Sequence, residues 1–365
     1  MIQTNFPTQK KCWKWSVLPA KNIAMRKLLR WVPRSLGSVA VQSWEIAHGE
    51  TSITRPAYFL PNQLERVTGW AFASVHPQRE MEGCIEVVHA PTRAFLLKNA
   101  WLIDGVLYKD DACSYLQPRA RRWLPQLHVE NEIDRGAVYC TSAGNKYFGQ
   151  WLMDDCVTYP LAAMEGIPIS TDQPVNPHTL DYEDWLDMKP ERVHTAFFKE
   201  AVIFEDYGQN RHKHARFRSM SEKLLSHVKV EPHPGVFILR RSTGERRLLI
   251  NEMELAEHLR DKRGFRILDP EITDVQTIVA TCAGAQTVVG VEGSGLMHGI
   301  LVLSPGGAVL TLQPPNRFVC LYKHLTDRDH QNFGFVVGIA EENGFRVIAD
   351  EVERTLDLFH ACQTQ

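Results

Sequence analysis

The stretch TVVGVEGSGLMHG, residues Thr287–Gly299, decides the fold of this chain. An apolar run rich in valine, typical of a buried strand, leads into a glycine-rich turn, and a helical pattern follows at once. Gly290, Gly293 and Gly295 let a ligand approach the backbone closely, and the start of a helix offers unpaired N–H groups to an anion. The stretch predicts a parallel sheet with a candidate phosphate site at this turn, although a tight turn without a ligand has the same pattern.

The alternation of strands and helices extends on both sides of this stretch. The runs GVFILRR, FRILDP and AVLTLQPP are predicted strands, separated by the helical patterns NEMELAEHLRDKRG and DVQTIVATCAG. Asn251 stands where the first of these helices needs an N-cap, and Gly264 follows its end. Strands separated by helices of this length predict a parallel, doubly wound sheet.

Strands predominate in the N-terminal part of the chain. Between about residues 42 and 135, short apolar runs are broken by turn signals, and Asp104-Gly105 predicts a hairpin turn. Further on, YFGQWLMDDCVTYPLAAMEG predicts a helix that ends at Gly166. Two prolines and no periodicity mark Lys229–Pro234 as a linker. We therefore predict a basic segment, 1–34, an N-terminal α/β domain, 35–228, and a C-terminal domain, 235–365.

The charge of the chain is balanced overall but uneven along it. The net charge is −2 over 365 residues, whereas a nucleic-acid-binding protein is usually far more basic. No acidic residue precedes Glu45, and the eight basic residues there are Lys10, Lys11, Lys14, Lys21, Arg26, Lys27, Arg30 and Arg34. With Trp13, Trp15 and Trp31, segment 1–34 has the pattern of a helix lying on an anionic membrane. A solvated tail, or a helix packed on its own domain, has the same composition.

The sequence favours a cytoplasmic protein, with the inner face of the cytoplasmic membrane as the surface that segment 1–34 would bind. No apolar run reaches the roughly 18 residues of a transmembrane helix, and no secretory signal pattern is present at the N-terminus. The eight cysteines are dispersed without a Cys-x-x-Cys pair, so a structural zinc site is not expected.

Arginines and carboxylates supply the candidate site residues. Arg240 and Arg241 end the strand FILRR, at the edge where open α/β sheets bind ligands, and one of them could grip a diphosphate with two hydrogen bonds. A solvated arginine pair is the alternative. Asp154 and Asp155 lie in an otherwise apolar helix, where a carboxylate is costly unless it is paired or used. We expect one of the two to face a cleft as a general base and the other to face solvent. A position on the helix surface, or a salt bridge to an arginine, is the alternative.

Three further groups have weaker signals. Glu292 and His298 flank the glycine turn and could bind sugar hydroxyls or transfer protons, although such a histidine is often structural. The basic run Arg211–Arg218 lacks aromatic interleaving and is interpreted as a solvated loop and helix start. The Asp-x-Asp pattern at Asp327–Asp329 matches the metal motif of some sugar transferases, and such a pattern is common by chance.

Three segments together resemble a known family. KYFGQWLMDD, FILRRSTGERRLLINEMEL and VVGVEGSGLMHGILVLSPGGAVLTLQPPNRF are similar in order and spacing to motifs of the bacterial branch of glycosyltransferase family 61, the type labelled capsular polysaccharide biosynthesis proteins. The resemblance implies an α/β, GT-B-like fold of two Rossmann-like domains facing a cleft, here with a β-rich N-terminal portion. It also implies inverting transfer of a sugar from a nucleotide-sugar donor.

The resemblance assigns roles to individual residues. It implies that Asp154 is the catalytic base, with Glu292 as the second candidate, and that Gln150 and Trp151 bind the acceptor. The donor would be held by Arg240, Arg241, Gly293, Ser294, Gly295 and His298. Where the family has a histidine before the tryptophan this chain has Gln150, and Glu292 replaces the usual histidine of the turn.

The function expected is transfer of a sugar, with a UDP-sugar as the first candidate donor, to a hydroxyl of a glycan or lipid-linked acceptor in capsule or lipopolysaccharide synthesis. No cofactor is required, a divalent metal is optional, and nucleic acid is not expected as a partner. Two alternatives stay open. One is a non-catalytic sugar-binding homologue, and the other is a nucleotide-sugar epimerase on the same plan.

Overall fold

A computed structural model describes residues 10–72, 76–117, 125–172, 175–241 and 248–361. The chain divides into a first unit, Met1–Gly49 with Ala90–Arg216, and a second unit, Glu50–His89 with Phe217–Gln365. The predicted domains follow sequence order, whereas the structure groups Glu50–His89 with the second unit. The chain passes between units at Arg216–Phe217, inside a helix, and not at the predicted linker Lys229–Pro234.

The strands of both units follow in chain order. They are β1 (Lys10–Trp15), β2 (Gln42–Ala47), β3 (Glu50–Ile53), β4 (Trp70–Ala71), β5 (Glu86–His89), β6 (Thr92–Ile103), β7 (Val106–Lys109), β8 (Ala112–Tyr115), β9 (His128–Val138), β10 (Ile167–Thr171), β11 (Glu191–Val193), β12 (Ala196–Glu205), β13 (His233–Ile238), β14 (Arg266–Leu268), β15 (Ala285–Val291), β16 (Ala308–Gln313), β17 (Phe318–Val319), β18 (Asn332–Val337), β19 (Ile339–Glu341) and β20 (Gly344–Arg346).

The helices are concentrated after β9. They are α1 (Leu18–Leu29), α2 (Pro77–Glu82), α3 (Phe148–Gln150), α4 (Cys156–Glu165), α5 (Thr179–Trp185), α6 (Arg211–Leu225), α7 (Glu252–Arg263), α8 (Val275–Gly284), α9 (Leu296–Val302), α10 (Leu321–Arg328) and α11 (Ala349–Ala361). A π-helical turn, Trp151–Asp155, joins α3 to α4. Among the described residues, no helix is both long enough and apolar enough to span a bilayer.

The first unit is built on a mixed nine-stranded sheet of order β11-β10-β9-β12-β6-β7-β8, with β1 paired to β9 and β2 to β6. The strands β11, β10, β9 and β12 run parallel, and β12, β6, β7 and β8 alternate in direction. The predicted hairpin is confirmed: Ile103 pairs with Val106, and Asp104 and Gly105 both have positive φ, as a type I′ turn requires. The helix that ends at Gly166 is also confirmed, apart from its π-helical turn.

The second unit is built on a five-stranded sheet of order β14-β13-β15-β16-β18, and every pair in it is parallel. The predicted parallel sheet is therefore confirmed. In chain order the strands run 2-1-3-4-5, so the direction of winding reverses between β13 and β15. The carboxyl ends of these two strands are the topological switch point, where open α/β sheets bind ligands.

The ends of the helix α7 match the sequence prediction only in part. Gly264 terminates it with φ of 69°, in the left-handed conformation that glycine adopts easily. Asn251 occupies the N-cap position, but its side chain does not cap the helix. Its amide donates to the carbonyl of Val347 at 2.9 Å and accepts from the N–H of Val347 at 3.2 Å, so it stabilises a loop instead.

The segment Glu50–His89 belongs to the second unit because it covers the edge strand β18. Tyr58 donates its N–H to Phe333 at 2.8 Å and accepts from the N–H of Phe335 at 3.1 Å. Arg66 donates to Glu351 of α11 and, at 3.0 Å, to the carbonyl of Val337. These contacts satisfy backbone groups that an uncovered edge strand would expose.

Each unit has its own apolar core. The core of the first unit includes Leu97, Leu102, Ile133, Phe198 and Ala201, from β6, β9 and β12. The core of the second unit packs the parallel strands against α7 and α11, through residues that include Phe237, Val289, Leu310, Leu259 and Phe359.

Replacing Gly290 tests the packing at the switch point. A Cβ at Gly290 would lie 2.7 Å from the carbonyl oxygen of Ile238 in the neighbouring strand, which is backbone and cannot rotate away. We expect Gly290→Ala to lower the free energy of unfolding by about 1–3 kcal/mol, measured by urea denaturation. In the control Gly295→Ala, the nearest atom would be at 3.6 Å, so stability should be unchanged. Equal stability of both variants would contradict the packing described.

Candidate functional site

The first unit contains a pocket of about 540 Å³ at the carboxyl ends of β9 and β12. Its lining includes Thr141, Gln150 and Asp154 from the segment after β9, and Glu205 and Tyr207 at and after the end of β12. Since these strands are parallel neighbours, the chain that follows each of them meets at one edge of the sheet. The pocket thus combines a carboxylate expected to be functional with hydroxyl, amide and aromatic groups suited to a sugar.

Asp154 is anchored by a lysine that the sequence prediction had placed in solvent. Its Oδ1 accepts from Lys213 Nζ at 2.5 Å, while the same ammonium donates to the carbonyl of Asp206 at 2.7 Å. The side chain of Lys213 is 0% exposed and that of Asp154 is 29% exposed. A buried ammonium needs an opposite charge, so Lys213 holds the Asp154 carboxylate at the pocket while leaving it accessible.

Asp155 has a structural role. It is fully buried, and it accepts from the N–H of Thr141 at 3.1 Å and from Thr141 Oγ1 at 2.9 Å. Burial raises the pKa of Asp155 well above its usual range. The expectation that one aspartate of the pair faces solvent is therefore wrong: Asp154 faces the pocket, and Asp155 ties the π-helical turn to the end of β9.

Asp206, which also lines the pocket, is in a second buried ion pair. Arg216 donates to both of its carboxylate oxygens, at 2.8 and 2.9 Å, and Thr92 and Thr158 donate to them at 2.8 and 2.9 Å. Burial opposes ionisation, but the hydrogen bonds from Arg216 and the charges of Lys213 and Arg216 prevail and lower the pKa of Asp206.

The interpretation of Arg211–Arg218 as a solvated run is thus wrong for the residues on the buried face of α6. Lys213 and Arg216 are three residues apart, so they lie on one face of α6, and both are held by carboxylates of the first unit. The sequence feature that could have predicted this buried face is the three-residue spacing, together with the apolar residues Phe217 and Met220. Both of these are buried on the same helix.

The structure separates the two expected acceptor-binding residues. Gln150 lines the pocket beside Asp154. Trp151 is buried against Phe148 and Tyr182, at ring distances of 5.6 and 6.5 Å, and is not among the lining residues. Its side chain supports the helix and does not line this pocket.

At the switch point of the second unit, Arg240 lies against the glycine turn. Glu252 accepts from the N–H groups of Arg240 and Arg241, at 2.7 and 3.0 Å, which holds the chain after β13. Arg240 Nη1 donates to the carbonyl of Glu292 at 3.1 Å, and a Cβ at Gly293 would lie 2.0 Å from that nitrogen. Arg241 is directed elsewhere, with its Nε donating to Asp269 at 3.0 Å.

The glycine turn offers fewer free N–H groups than expected. The N–H of Gly293 donates to Tyr322 Oη at 2.6 Å, so it is not available to a ligand. The N–H groups of Ser294 and Gly295, which are half-buried, make no hydrogen bond within the described ranges of the chain. These two amides and the Arg240 guanidinium are the groups of this turn that could bind an anion.

Glu292 and His298 lie inside the second unit. Glu292 is buried, and its Oε1 accepts from Arg317 at 2.8 Å. His298 is buried on α9. Both side chains are enclosed, whereas the Asp154 side chain is 29% exposed at its pocket.

The Asp-x-Asp pattern does not form a metal site. Asp327 is paired with Lys323, and Asp329 with Arg218 at 3.3 Å, so each carboxylate already has a cation. In the part of the chain that the structure describes, no group of three His, Cys, Asp or Glu side chains is arranged to hold a metal ion.

A pocket with an anchored carboxylate, in a chain that also carries a parallel sheet with an arginine at its switch point, is an arrangement suited to sugar transfer. The model of the family Glycosyltransferase 61 matches residues 124–310, slightly more than half of the chain. The chain belongs to glycosyltransferase family 61. The matched range contains Asp154, Lys213, Arg240 and Gly293, so it covers both candidate sites. No curated protein matches the sequence.

The buried pair of Asp206 and Arg216 predicts a pH-dependent contribution to stability. Because the pKa of Asp206 is lowered in the folded state, its stabilisation is fully present at neutral pH and is lost as pH falls below about 5. We expect Asp206→Asn to cost roughly 3–5 kcal/mol at neutral pH, with a smaller difference from the wild type in acid, measured by urea denaturation across pH.

The matched control is Asp350→Asn, which removes an exposed carboxylate from a surface pair with Arg354. Its effect should stay below about 1 kcal/mol at every pH. A difference between Asp206→Asn and wild type that grows in acid would contradict the assignment.

Proposed function

We propose that this protein is an inverting glycosyltransferase that moves a sugar from a nucleotide-sugar donor to a hydroxyl of a glycan or lipid-linked acceptor. Family membership supports glycosyl transfer. The observation that carries the mechanism is the Asp154 carboxylate, accessible in its pocket and held there by the buried Lys213. We place the reaction in the cytoplasm and in surface polysaccharide synthesis of the capsule or lipopolysaccharide type, as in the bacterial branch that the motifs resemble.

Inverting transfer needs one base and a stabilised leaving group. Asp154 would accept the proton of the acceptor hydroxyl as its oxygen attacks the anomeric carbon, and the nucleoside diphosphate would leave from the opposite side. Lys213 acts on the acceptor only through Asp154 and is therefore a positioning residue. Gln150, on the same wall, would hydrogen-bond the acceptor sugar.

Other carboxylates are less suited to act as the base. Asp155 is buried and engaged by Thr141, and both oxygens of Asp206 are held by Arg216. Glu292 is buried and paired with Arg317.

Asp154, in contrast, keeps one carboxylate oxygen for a substrate proton. Its Oδ1 accepts from Lys213, and its Oδ2 has no partner in the described residues. Glu205 is exposed where the chain reaches the pocket, where water competes for it.

We assign the donor diphosphate to Arg240 and the N–H groups of Ser294 and Gly295. A guanidinium can bind phosphate oxygens through two hydrogen bonds, and preoriented amides stabilise the charge that develops on the leaving group. These groups can do so without a metal ion. A UDP-sugar is the first candidate donor.

Replacing the base should stop transfer. We expect Asp154→Asn to reduce acceptor-dependent release of nucleotide by about 10²–10⁴-fold, because an amide cannot accept the proton. The matched control is Asp184→Asn, an exposed aspartate of α5, which should keep wild-type turnover. Full activity of Asp154→Asn would move the base elsewhere.

The same assay separates the alternatives. Conversion of the donor to a nucleotide carrying a different sugar, in the absence of an acceptor, would indicate an epimerase. Glycan binding without any nucleotide release would indicate a non-catalytic homologue, for which the replacement of the family's histidine by Gln150 would be the reason.

Nucleotide binding should depend on one arginine of the pair. In a thermal-shift panel of UDP, GDP, CMP and dTDP, with and without manganese, we expect one nucleotide to raise the melting temperature of the wild type. Arg240→Ala should abolish this shift, and Arg241→Ala should retain it, because Arg241 points to Asp269. The reverse pattern would contradict the assignment of Arg240.

A further inference from the structure

The end of helix α1 and the residues just after it carry apolar side chains that the fold leaves uncovered. Leu28 and Val32 are each 80% exposed, and Leu29 is 70% exposed. Trp13 and Trp15, on β1, are also mostly exposed, and both contact the ring of His128. Aliphatic and tryptophan side chains in such positions lose favourable burial unless a partner covers them.

The beginning of the same helix is fixed to the first unit. Pro19 and Asn22 are buried, Asn22 Nδ2 donates to Cys113 Sγ at 3.3 Å, and Leu18 packs against the cluster of Val106 and Tyr108. Arg26 donates to Tyr115 Oη. The residues after Arg26 lack such burial, so α1 is a helix held at one end that presents its other end to solvent.

Basic residues surround the exposed apolar end. Lys27, Arg30 and Arg34 are exposed at or just after the end of α1, and Lys21 is exposed nearer its start. Arg34 is 3.6 Å from Asp111, and the chain has no acidic residue before Glu45. This end of α1 is therefore apolar and positively charged at once.

We propose that the C-terminal end of α1, through Val32, docks on an anionic lipid bilayer. Leu28, Leu29 and Val32 would enter the boundary between headgroups and acyl chains, and the surrounding lysines and arginines would contact lipid phosphates. Exposed tryptophans favour the same interface. A second copy of this chain is a poorer partner, because it would bring the same positive charges to the contact.

This inference rests on the exposure and charge of α1 and is independent of the proposed function. It identifies a lipid surface as the partner, which would keep the enzyme beside any acceptor carried on a lipid.

Vesicle co-sedimentation of the full chain tests the proposal. Vesicles of phosphatidylcholine with phosphatidylglycerol should bind the protein, vesicles of phosphatidylcholine alone should bind it weakly, and high salt should reduce binding. Leu28→Ser with Leu29→Ser, and separately Lys27→Gln with Arg30→Gln, should each lower partitioning by roughly tenfold. The control Ile272→Ser removes an equally exposed apolar side chain of the second unit and should bind as the wild type does.

Three results would overturn the proposal. The first is no sedimentation with anionic vesicles. The second is undiminished binding of the variant that lacks Leu28 and Leu29. The third is a wild-type dimer in sedimentation velocity that this variant abolishes, which would make the surface a contact between copies of the chain. Because every readout is binding or mass, failure here leaves the proposed glycosyl transfer untouched.

Discussion

Lys213 cannot be buried without a negative partner, and the first unit is organised around that constraint. Its ammonium is fully enclosed, with Asp154 at 2.5 Å and the carbonyl of Asp206 at 2.7 Å. One helical turn further along α6, Arg216 meets the Asp206 carboxylate. Removing one partner of such an ion pair destabilises the fold by much more than the intact pair stabilises it. The remaining charge is then left unpaired in an interior of low dielectric constant. The helix α6, the end of β12 and the π-helical turn are thereby held in one arrangement, and the pocket carboxylate has a fixed position.

The second unit solves a similar positioning problem with backbone groups. Glu252, at the start of α7, accepts from two successive N–H groups after β13 and so holds Arg240 where the winding of the sheet reverses. Because Gly293 has no Cβ, the Arg240 guanidinium can lie against the glycine turn in space that a side chain at this position would fill. In both units a charged residue positions an oppositely charged one near the carboxyl ends of parallel strands: Lys213 positions Asp154, and Glu252 holds the chain at Arg240. In the first unit the cation is buried and the carboxylate is left accessible, and in the second the guanidinium is only partly buried.

Local patterns predicted local structure well. The Asp104-Gly105 turn, the cap at Gly264 and the parallel sheet of the second unit were all recognisable, because each depends on residues close in sequence or on a repeated period. The burial of Lys213 was not recognisable from its surroundings, since Asp154 is 59 residues away and a basic run is usually solvated. The same holds for Glu50–His89, whose place in the second unit depends on covering the distant strand β18. Asp154 was identified through the family motif, whereas the structural role of Asp155 follows only from its contact with Thr141.

If Asp154 is the base and Lys213 positions it, a small carboxylate should be able to replace the lost side chain. This is tested by chemical rescue of Asp154→Ala, with sugar transfer measured in the presence of formate or of chloride at equal concentration. We expect transfer to be lost in the variant and partly restored by formate, a small carboxylate that can occupy the vacated space beside the Lys213 ammonium. Chloride, which cannot accept the proton, should restore nothing. Transfer by Asp154→Ala at the wild-type rate in the absence of formate would show that Asp154 is not the base.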